Sequence, residues 1–290
     1  MGFLRTIWKM APNILRRNIK KCAMYALNTE PLILDKVIYS TPPEYSSESG
    51  FLLDTNAYRN FNDQHGFSII SFSQAGQDKI VETIMRKCGI TNPSYLDVGC
   101  NHPVEISNTA LFYRGGSCGV VVDASEAHRH RWELLRPKDI FVNAAVSPFS
   151  GENTTFYMLD EYSGRNSTDL DTLNEFIKEA KSVGNKFNIT KTVSVKTRTI
   201  NEIVDAYCSG KFPNYLSIDI EGLDLKVLKS IDFSKSAPIV ISIEDSSPEA
   251  IDVLNEKGFQ PVICVGDIIA VHNDFISIIA PWMQKDQAGN

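Results

Sequence analysis

From about Ser73 onward, short apolar runs alternate with amphipathic stretches along the chain. The runs that predict buried strands are Tyr95–Val98, Gly119–Val122, Phe141–Val146, Tyr215–Ile218 and Ile239–Ile243. In Asp78–Lys87 the apolar residues recur at helical spacing, which places Ile80, Val81 and Ile84 on one face. Near-continuous apolar strands separated by helices indicate a parallel sheet that is covered by helices on both faces.

The last part of this pattern differs from the rest. Two β-rich runs, Gln260–Val265 and Ile268–His272, flank the pair Gly266-Asp267. A Gly-Asp pair between two such runs predicts a β-hairpin. We therefore expect an antiparallel edge on the otherwise parallel sheet.

A substrate-side insertion is predicted at about residues 148–198, because the regular alternation breaks there. It holds a strand-like run, Thr154–Leu159, then a polar stretch, a helix at Leu170–Ser182 and an alternating strand at Thr192–Thr197. Insertions at the ligand edge of an open α/β sheet commonly contact the substrate. We expect the same of this one.

Residues 1–70 lack this rhythm, and we interpret them as an N-terminal extension to a domain that spans 71–290. Apolar residues alternate with a run of basic ones before the first acid, Glu30. The basic positions are Arg5, Lys9, Arg16, Arg17, Lys20 and Lys21. This pattern fits a helical arm or lid that lies on an anionic membrane surface, packs on its own domain, or packs on a second subunit in a homo-oligomer.

Bulk composition narrows the class of protein. The formal net charge of −6 disfavours a nucleic-acid partner, because proteins that neutralise phosphates usually present a basic face. Six scattered cysteines without C-x-x-C spacing, and the lack of a signal-peptide pattern, predict free thiols in a reducing compartment. No apolar run approaches the ~20 residues that span a bilayer. We therefore expect a cytoplasmic protein, with peripheral contact of the basic arm to the inner membrane as one alternative to its packing on protein.

The first buried strand ends in a motif with candidate chemistry, Asp97-Val98-Gly99. A glycine at the carboxyl end of a strand lets the backbone pass close to a ligand. The next strand ends in Asp123, and an acid there accepts hydrogen bonds from both hydroxyls of a ribose. The loop Gly99–Val104 lacks the second and third glycines of G-x-G-x-x-G. It therefore suits a nucleoside without a pyrophosphate, such as S-adenosylmethionine (SAM), and disfavours a nicotinamide-dependent oxidoreductase.

Seven short motifs together resemble the FkbM-type family of SAM-dependent methyltransferases. They are Ser73–Asp78, Leu96–Asn101, Ser107–Thr109, Val122–Ala124, Thr199-Ile200, Leu216–Gly222 and Ile243-Glu244. The resemblance covers the chain from Ser73 to the C-terminus. It implies an α/β class I methyltransferase (Rossmann-like) fold, with a seven-stranded, mostly parallel sheet, helices on both faces and an antiparallel C-terminal strand. It also implies O-methyl transfer, often to a sugar or polyketide hydroxyl.

The motifs define an expected cofactor pocket. We expect Asp97 to engage the methionine amino group, directly or through water, and Asp123 to bind the ribose diol or to cap a helix that begins near Ser125. Small residues after the third strand either leave room for adenine or serve packing alone. The expected cofactor-binding residues are Gln74, Gln77, Asp97, Gly99, Asn101, Asn108, Asp123, Ala124, Asn143, Ala144, Ala145 and Asp219.

Carboxylates collect after the fourth and fifth strands. Because concentrated carboxylates repel one another unless a cation or proton lies among them, we expect Mg²⁺ or Mn²⁺ on Asp219, Glu244 and Asp245. This set resembles the metal site of the O-methyltransferases that act on macrolide sugars, although Gly222 stands where those enzymes have a histidine. The alternative is that Asp219 contacts substrate or cofactor, while Glu244 and Asp245 cap the following helix.

Methyl transfer to a hydroxyl needs a group that takes the hydroxyl proton. Glu221 is the first candidate for this general base, and Asp219 is the second. His102 is the third, because it follows the glycine loop and a free imidazole titrates near neutral pH. The alternative for His102 is an ordinary loop residue.

The sequence thus predicts a SAM-dependent O-methyltransferase. The expected acceptor is a hydroxyl of a glycan or nucleotide-linked sugar used in bacterial surface polysaccharide biosynthesis. One alternative is an O-methyltransferase of a polyketide or other small secondary metabolite. A different class is a non-catalytic SAM-binding scaffold protein, which the intact acids Asp97, Asp123 and Asp219 disfavour.

Overall fold

The computed structural model describes residues 71–283. The predicted N-terminal extension, with its basic segment and proposed membrane contact, lies outside the described residues. Among residues 71–283, none of the helices combines the length and apolar composition needed to cross a membrane.

Ten strands and eight helices follow one another along the described chain. The strands are β1 (Tyr95–Val98), β2 (Gly119–Asp123), β3 (Ile140–Asn143), β4 (Ala145–Val146), β5 (Asn153–Met158), β6 (Lys191–Arg198), β7 (Tyr215–Ile218), β8 (Val240–Ile243), β9 (Phe259–Val265) and β10 (Asp267–His272). The helices are α1 (Gln77–Lys87), α2 (Ala110–Arg114), α3 (Arg129–Leu135), α4 (Leu170–Ser182), α5 (Ile200–Tyr207), α6 (Asp224–Ser230), α7 (Pro248–Glu256) and α8 (Asn273–Met283).

Seven strands form the main sheet in the order β3-β2-β1-β7-β8-β10-β9. All neighbours are parallel except β10, which is antiparallel to both β8 and β9. This arrangement confirms the predicted fold class and the terminal hairpin. The chain runs outward from β1 to β3 and then returns to β7 beside β1, which creates a switch point where open α/β sheets bind ligands.

Alternation along the central strands divides the core between the two faces of the sheet. In β1, Leu96 and Val98 pack on one face with helices α5, α6 and α7. Tyr95, on the other face, packs with residues of α1 and with Trp132 of α3. Successive side chains of a strand point to opposite faces, so a run of apolar residues suits a strand that is buried on both sides.

The prediction of one strand over Phe141–Val146 is wrong. The run breaks at Ala144, whose N–H donates to the Asp123 carbonyl at 3.0 Å. Ala145 and Val146 then pair with β6 instead, in a separate three-stranded sheet of order β4-β6-β5. The run is apolar throughout because its two halves are buried in two different sheets. The insertion is therefore joined to the main sheet at the edge of the predicted ligand site.

Helix α3 also begins later than expected. Its first residue is Arg129, so the prediction of a helix that starts near Ser125 is wrong. The Asp123 carboxylate accepts the Ser125 N–H at 2.7 Å, which closes a turn before the helix.

A buried arginine connects the loop after β1 to the strands below it. Arg136 is 2% exposed, and each of the three guanidinium nitrogens donates at least one hydrogen bond. They donate to Asp139 Oδ2, the Pro103 carbonyl, Ser107 Oγ, Tyr95 Oη and Thr109 Oγ1, at 2.7–3.2 Å. Full pairing offsets the desolvation of the buried charge. Thr109 in turn donates to Asp97 Oδ2 at 2.5 Å, so the loop is fastened to β1 itself.

Gly99 is where two backbone turns come closest. It has φ +83°, and a Cβ on this residue would overlap the carbonyl of Asp219 at the end of β7. Its N–H donates to the Val122 carbonyl of β2 at 2.9 Å. The absence of a side chain at Gly99 therefore lets β1, β2 and β7 end at one place.

The substitution Gly99→Ala tests this close approach. We expect it to lower the free energy of unfolding by more than about 4 kcal/mol, because it adds a backbone clash to an unfavourable φ. The matched control is Gly184→Ala, since Gly184 has φ +85° with no atom within 4 Å of an added Cβ. The control should lose only about 1–2 kcal/mol in urea unfolding. Equal losses in the two variants would contradict the role of the Gly99–Asp219 contact.

Candidate active site

A cleft that is open to solvent lies over the carboxyl ends of β1, β2 and β7. Eight of the predicted site residues line it: Gly99, Asn101, Asp123, Ala124, Ala144, Ala145, Asp219 and Glu221. The switch point of the sheet and most of the predicted pocket therefore coincide.

Asp123 lies in this cleft with both carboxylate oxygens oriented by backbone amides. Oδ2 accepts the Asn101 N–H at 2.8 Å, and Oδ1 accepts the Ser125 N–H at 2.7 Å. Burial raises the pKa of Asp123 to about 6, against the lowering effect of these two hydrogen bonds. Each oxygen keeps a lone pair for a further donor, which is the geometry that a vicinal diol requires.

Ala144 and Ala145 border the same cleft beyond Asp123, as the prediction of an adenine position requires. Asn143, predicted beside them, does not line it. Its Nδ2 donates to the carbonyls of Asp123 and Ala124 at 3.1 and 3.0 Å. Asn143 therefore holds the turn after β2 in place.

Asp97 lies beneath the cleft and does not line it. Its side chain is 4% exposed, and burial raises its pKa although Thr109 donates to it. Any contact of Asp97 with a bound ligand has to pass through the loop above it or through water. Asp97 thus supports the loop through Thr109, and its predicted contact with the methionine amino group stays a prediction.

Gln74, Gln77 and Asn108 were predicted to border the cofactor, and none of them lines the cleft. Gln74 is exposed, whereas Gln77 is buried and its Oε1 accepts the Ala75 N–H at 2.8 Å. Asn108 donates to Ser217 Oγ at 3.1 Å and to Asp267 Oδ2 at 3.4 Å. Gln77 and Asn108 belong to a buried polar layer around Asp267, to which both side chains donate.

Asp267 of β10 is a member of this layer that the sequence analysis missed. Burial and the charge of Glu244 raise its pKa to about 7, and hydrogen bonds from Gln77 and Asn108 oppose the shift. The pair Gly266-Asp267 indicated a hairpin turn, and that pattern gave no sign that the Asp267 carboxylate also belongs to the polar layer. The predicted antiparallel strand carries Asp267 back to the same edge of the sheet.

His102 lies in the loop after β1 but outside the lining of the cleft. Its Nδ1 accepts the N–H groups of Val104 and Glu105, at 3.2 and 2.9 Å. Burial and the nearby His128 and Arg131 lower its pKa to about 4. This geometry matches the loop-residue alternative, because a ring held as an acceptor by two amides is a poor base at neutral pH.

Three carboxylates meet at the rim of the cleft, and we call Asp219, Glu221 and Glu244 the carboxylate cluster. An oxygen from each lies within 4.8 Å of the other two. Burial and the charge of Glu244 raise the pKa of Glu221 to about 7, and burial with the same neighbour raises that of Asp219 well above its usual range. Like charges in a buried position favour the protonated forms.

Glu221 also has an uncommon backbone conformation, with φ +55°. A residue other than glycine in this left-handed region costs about 1–3 kcal/mol, and such residues concentrate at functional sites. Asn101, which lines the same cleft, has φ +40°. Each side of the cleft thus carries one residue other than glycine whose backbone is in the left-handed conformation.

The metal ligands predicted from the sequence do not all converge. Asp245 lies outside the carboxylate cluster, and its Oδ1 accepts the Ser247 N–H at 2.8 Å, just before α7. Asp245 thus closes a turn before the helix, but the N-cap of α7 is Ser247, whose Oγ accepts the Ala250 N–H at 3.2 Å, so the helix-cap alternative is wrong as well.

A guanidinium already lies beside the carboxylate cluster. Arg165 Nη1 is 2.6 Å from Glu221 Oε2 and 3.7 Å from Glu244 Oε1. Asp245 is not available as a ligand, and the Arg165 guanidinium lies beside two of the remaining three carboxylates. While Arg165 stays in place, this donor set does not fit a divalent ion.

The insertion that carries Arg165 borders the cleft, as predicted. Its polar stretch contributes the lining residues Glu161, Ser163, Gly164, Asn166 and Thr168. Ser167 Oγ donates to the Glu221 carbonyl at 2.7 Å, so the insertion contacts the backbone of the β7 turn directly. None of these residues was predicted as a site residue, because no local motif marks which part of a long insertion lies against the main sheet.

No curated protein matches the sequence at a significant level. Among solved structures, the chain is similar to the crystal structure of Burkholderia thailandensis 1,6-didemethyltoxoflavin-N1-methyltransferase with bound 1,6-didemethyltoxoflavin and S-adenosylhomocysteine. That similarity amounts to 12% identity over 81% of this chain and 96% of that chain, with a TM-score of 0.34.

The match to a protein family is more extensive. Residues 97–261 match the family described as the Methyltransferase FkbM domain. The matched region begins at Asp97 in β1 and ends in β9, so it contains the cleft, the insertion and the carboxylate cluster. Because this match spans more than half of the chain, the protein belongs to the FkbM methyltransferase family.

Proposed function

We propose that this protein is a SAM-dependent O-methyltransferase that acts on a sugar hydroxyl in bacterial surface polysaccharide biosynthesis. The observation that carries the proposal is a single cleft lined by Asp123, Gly99 and two members of the carboxylate cluster, Asp219 and Glu221. The side with Asp123 suits a nucleoside, and the side with the carboxylates suits a hydroxyl that must lose a proton. Membership in a methyltransferase family supplies the reaction class.

The cofactor proposal depends on what the loop after β1 offers. A dinucleotide needs its pyrophosphate near a helix N-terminus with successive glycines. Here the residues after Gly99 continue as Cys100-Asn101-His102, and α2 begins only at Ala110. Asp123 still provides an acceptor for a ribose diol, and the small Ala144 and Ala145 border the adjoining space. SAM meets these conditions, because it has a ribose and an adenine but no phosphate.

Bound SAM supplies a methyl group on a sulfonium, which transfers by in-line displacement to a nucleophilic oxygen. The new bond joins this carbon to the acceptor oxygen, the carbon–sulfur bond breaks, and the hydroxyl proton passes to a protein carboxylate. Glu221 is the first choice for this carboxylate. Its pKa of about 7 suits a base that works near neutral pH, because roughly half of it is ionised there and the ionised form takes up a proton readily.

The first prediction concerns ribose recognition. Asp123→Asn should weaken the binding of S-adenosylhomocysteine about 10- to 100-fold, because hydrogen bonds to a charged group contribute about 1.5–3 kcal/mol. Isothermal titration calorimetry measures the effect. Glu126→Gln is the matched control, since Glu126 lies three residues away and pairs only with the surface residue Arg129 among the described residues. Unchanged affinity in Asp123→Asn, or binding of NADH instead, would reject the proposed pocket.

The same contact predicts a pH dependence of binding. The pKa of Asp123 is raised to about 6, so the free protein gains a proton there as the pH falls through 6. Ribose hydroxyls donate to the ionised form, so binding should be strongest above pH 6 and should weaken below it, by at most tenfold per pH unit. In Asp123→Asn this part of the dependence should disappear. Calorimetry at several pH values between 5 and 8 decides the matter, and parallel curves for the two proteins would contradict it.

The next prediction concerns the base. Glu221→Gln should lower kcat about 10²- to 10⁴-fold and leave the affinity for S-adenosylhomocysteine within a few-fold, because it removes the proton acceptor and leaves Asp123 on the other side of the cleft unchanged. Glu161→Gln is the control, since Glu161 is a carboxylate of the same cleft outside the cluster. Transfer of labelled methyl to a true acceptor provides the rate. Full turnover in Glu221→Gln would move the base to another residue, with Asp219→Asn as the next variant to measure.

The class of acceptor separates this proposal from its alternatives. We expect labelled methyl to transfer to nucleotide sugars or oligosaccharides in a screen that also contains polyketide hydroxyl compounds. Transfer to the latter alone would favour a small secondary metabolite as substrate. Binding of S-adenosylhomocysteine without transfer to any acceptor would favour the SAM-binding scaffold.

A further inference from the structure

The carboxylate cluster lies in a strongly negative part of the protein. Besides its own members Asp219, Glu221 and Glu244, the carboxylates of Asp224 and Asp267 are close enough to raise the pKa of Asp219. Unscreened like charges in a partly buried site destabilise one another unless a cation is present. Within residues 71–283, Arg165 is the basic side chain that forms ion pairs with the cluster.

Arg165 reaches the cluster from the insertion, 56 residues before Glu221 in the chain. Its Nη1 donates to Glu221 Oε2 at 2.6 Å and lies 3.7 Å from Glu244 Oε1. The guanidinium also lies 5.8 Å from the centre of the Phe176 ring, on α4 of the same insertion. The Glu221 carboxylate is only 17% exposed, so solvent screens this pair less than it screens an ordinary surface pair.

The loop around Arg165 is organised before it reaches the cluster. Asn166 Oδ1 accepts the Leu159 N–H and its Nδ2 donates to the Asp160 carbonyl, both at 2.8 Å. The backbones of Tyr157 and Ser167 exchange two hydrogen bonds, at 2.8 and 3.1 Å. Hydrogen bonds within the loop thus hold the backbone on both sides of Arg165. Its side chain extends from this closed loop to the carboxylate cluster.

We propose that Arg165 is the internal counter-ion of the carboxylate cluster, in the place that a divalent metal would otherwise take, and that it fastens the insertion over the cleft. A guanidinium provides one positive charge and several directed donors, whereas Mg²⁺ requires near-octahedral oxygen ligands at about 2.0–2.1 Å. Glu221 and Glu244 cannot satisfy both at once. Arg165 is therefore a positioning residue, and this inference holds whatever the methyl acceptor is.

The test uses Mn²⁺ as the probe and the full chain as the protein. Wild type should show no saturable Mn²⁺ binding by calorimetry, whereas Arg165→Gln should show saturable Mn²⁺ binding. Arg165→Lys keeps the positive charge and should behave like wild type. The control Arg129→Gln removes another partly exposed arginine that pairs with a glutamate, Glu126, away from the cluster, and it should gain no binding.

A second variant locates the gained site and guards against a folding defect. In the Arg165→Gln background, Glu244→Gln should abolish the gained Mn²⁺ binding, and circular dichroism of each variant should match that of wild type. Tight Mn²⁺ binding by wild type would overturn the proposal, because Arg165 would then not occupy the cation position. Failure of folded Arg165→Gln to gain Mn²⁺ binding would overturn it as well. None of these measurements uses methyl transfer, so their outcome is independent of the proposed function.

Discussion

The close contact between the turn at Gly99 and the backbone of Asp219 is the constraint on which the site depends. It exists because β1 and β7 are neighbours in the sheet but lie more than a hundred residues apart in the chain. The Asp219 N–H donates to the Val98 carbonyl at 2.9 Å, so the ladder of β1 and β7 continues up to the contact. The Asp123 side and the carboxylate side of the cleft are therefore two ends of one junction held by main-chain hydrogen bonds. Any ligand that bridges them meets atoms whose separation is set by main-chain hydrogen bonds.

The buried guanidinium of Arg136 stabilises this junction from below. It connects the strand-end residue Tyr95, the loop at Pro103 and the residue Thr109, which in turn holds Asp97. A fully paired charge contributes little net stability compared with an apolar replacement, but it fixes the positions of its partners. The loop after β1, which has neither a second nor a third glycine, is thus held by hydrogen bonds from a side chain that does not line the cleft.

Two arginines thus stabilise different parts of the protein, and each does so by pairing its guanidinium with carboxylates. Arg136 is buried and paired once with Asp139, and it organises the apolar face of the sheet. Arg165 is half exposed and comes from an insertion, and it offsets the repulsion among carboxylates that the parallel strands collect at one edge. Parallel strands that each end in an acid bring negative charge together whatever the surrounding sequence. The cation has to come from outside the strands, and the insertion is the element that reaches the rim.

Local signals and long-range contacts explain which predictions succeeded. The apolar runs at Tyr95–Val98 and Tyr215–Ile218 and the helix at Leu170–Ser182 have the predicted bounds, because period and burial act on neighbouring residues. The break at Ala144 was missed, since both halves of Phe141–Val146 are apolar for different sheets. Arg165 and Asp267 were missed for a related reason: each reaches the cluster through a loop or a hairpin whose direction no local pattern encodes. A sequence pattern identifies the carboxylates that need a counter-charge, whereas only the path of the chain shows which residue provides it.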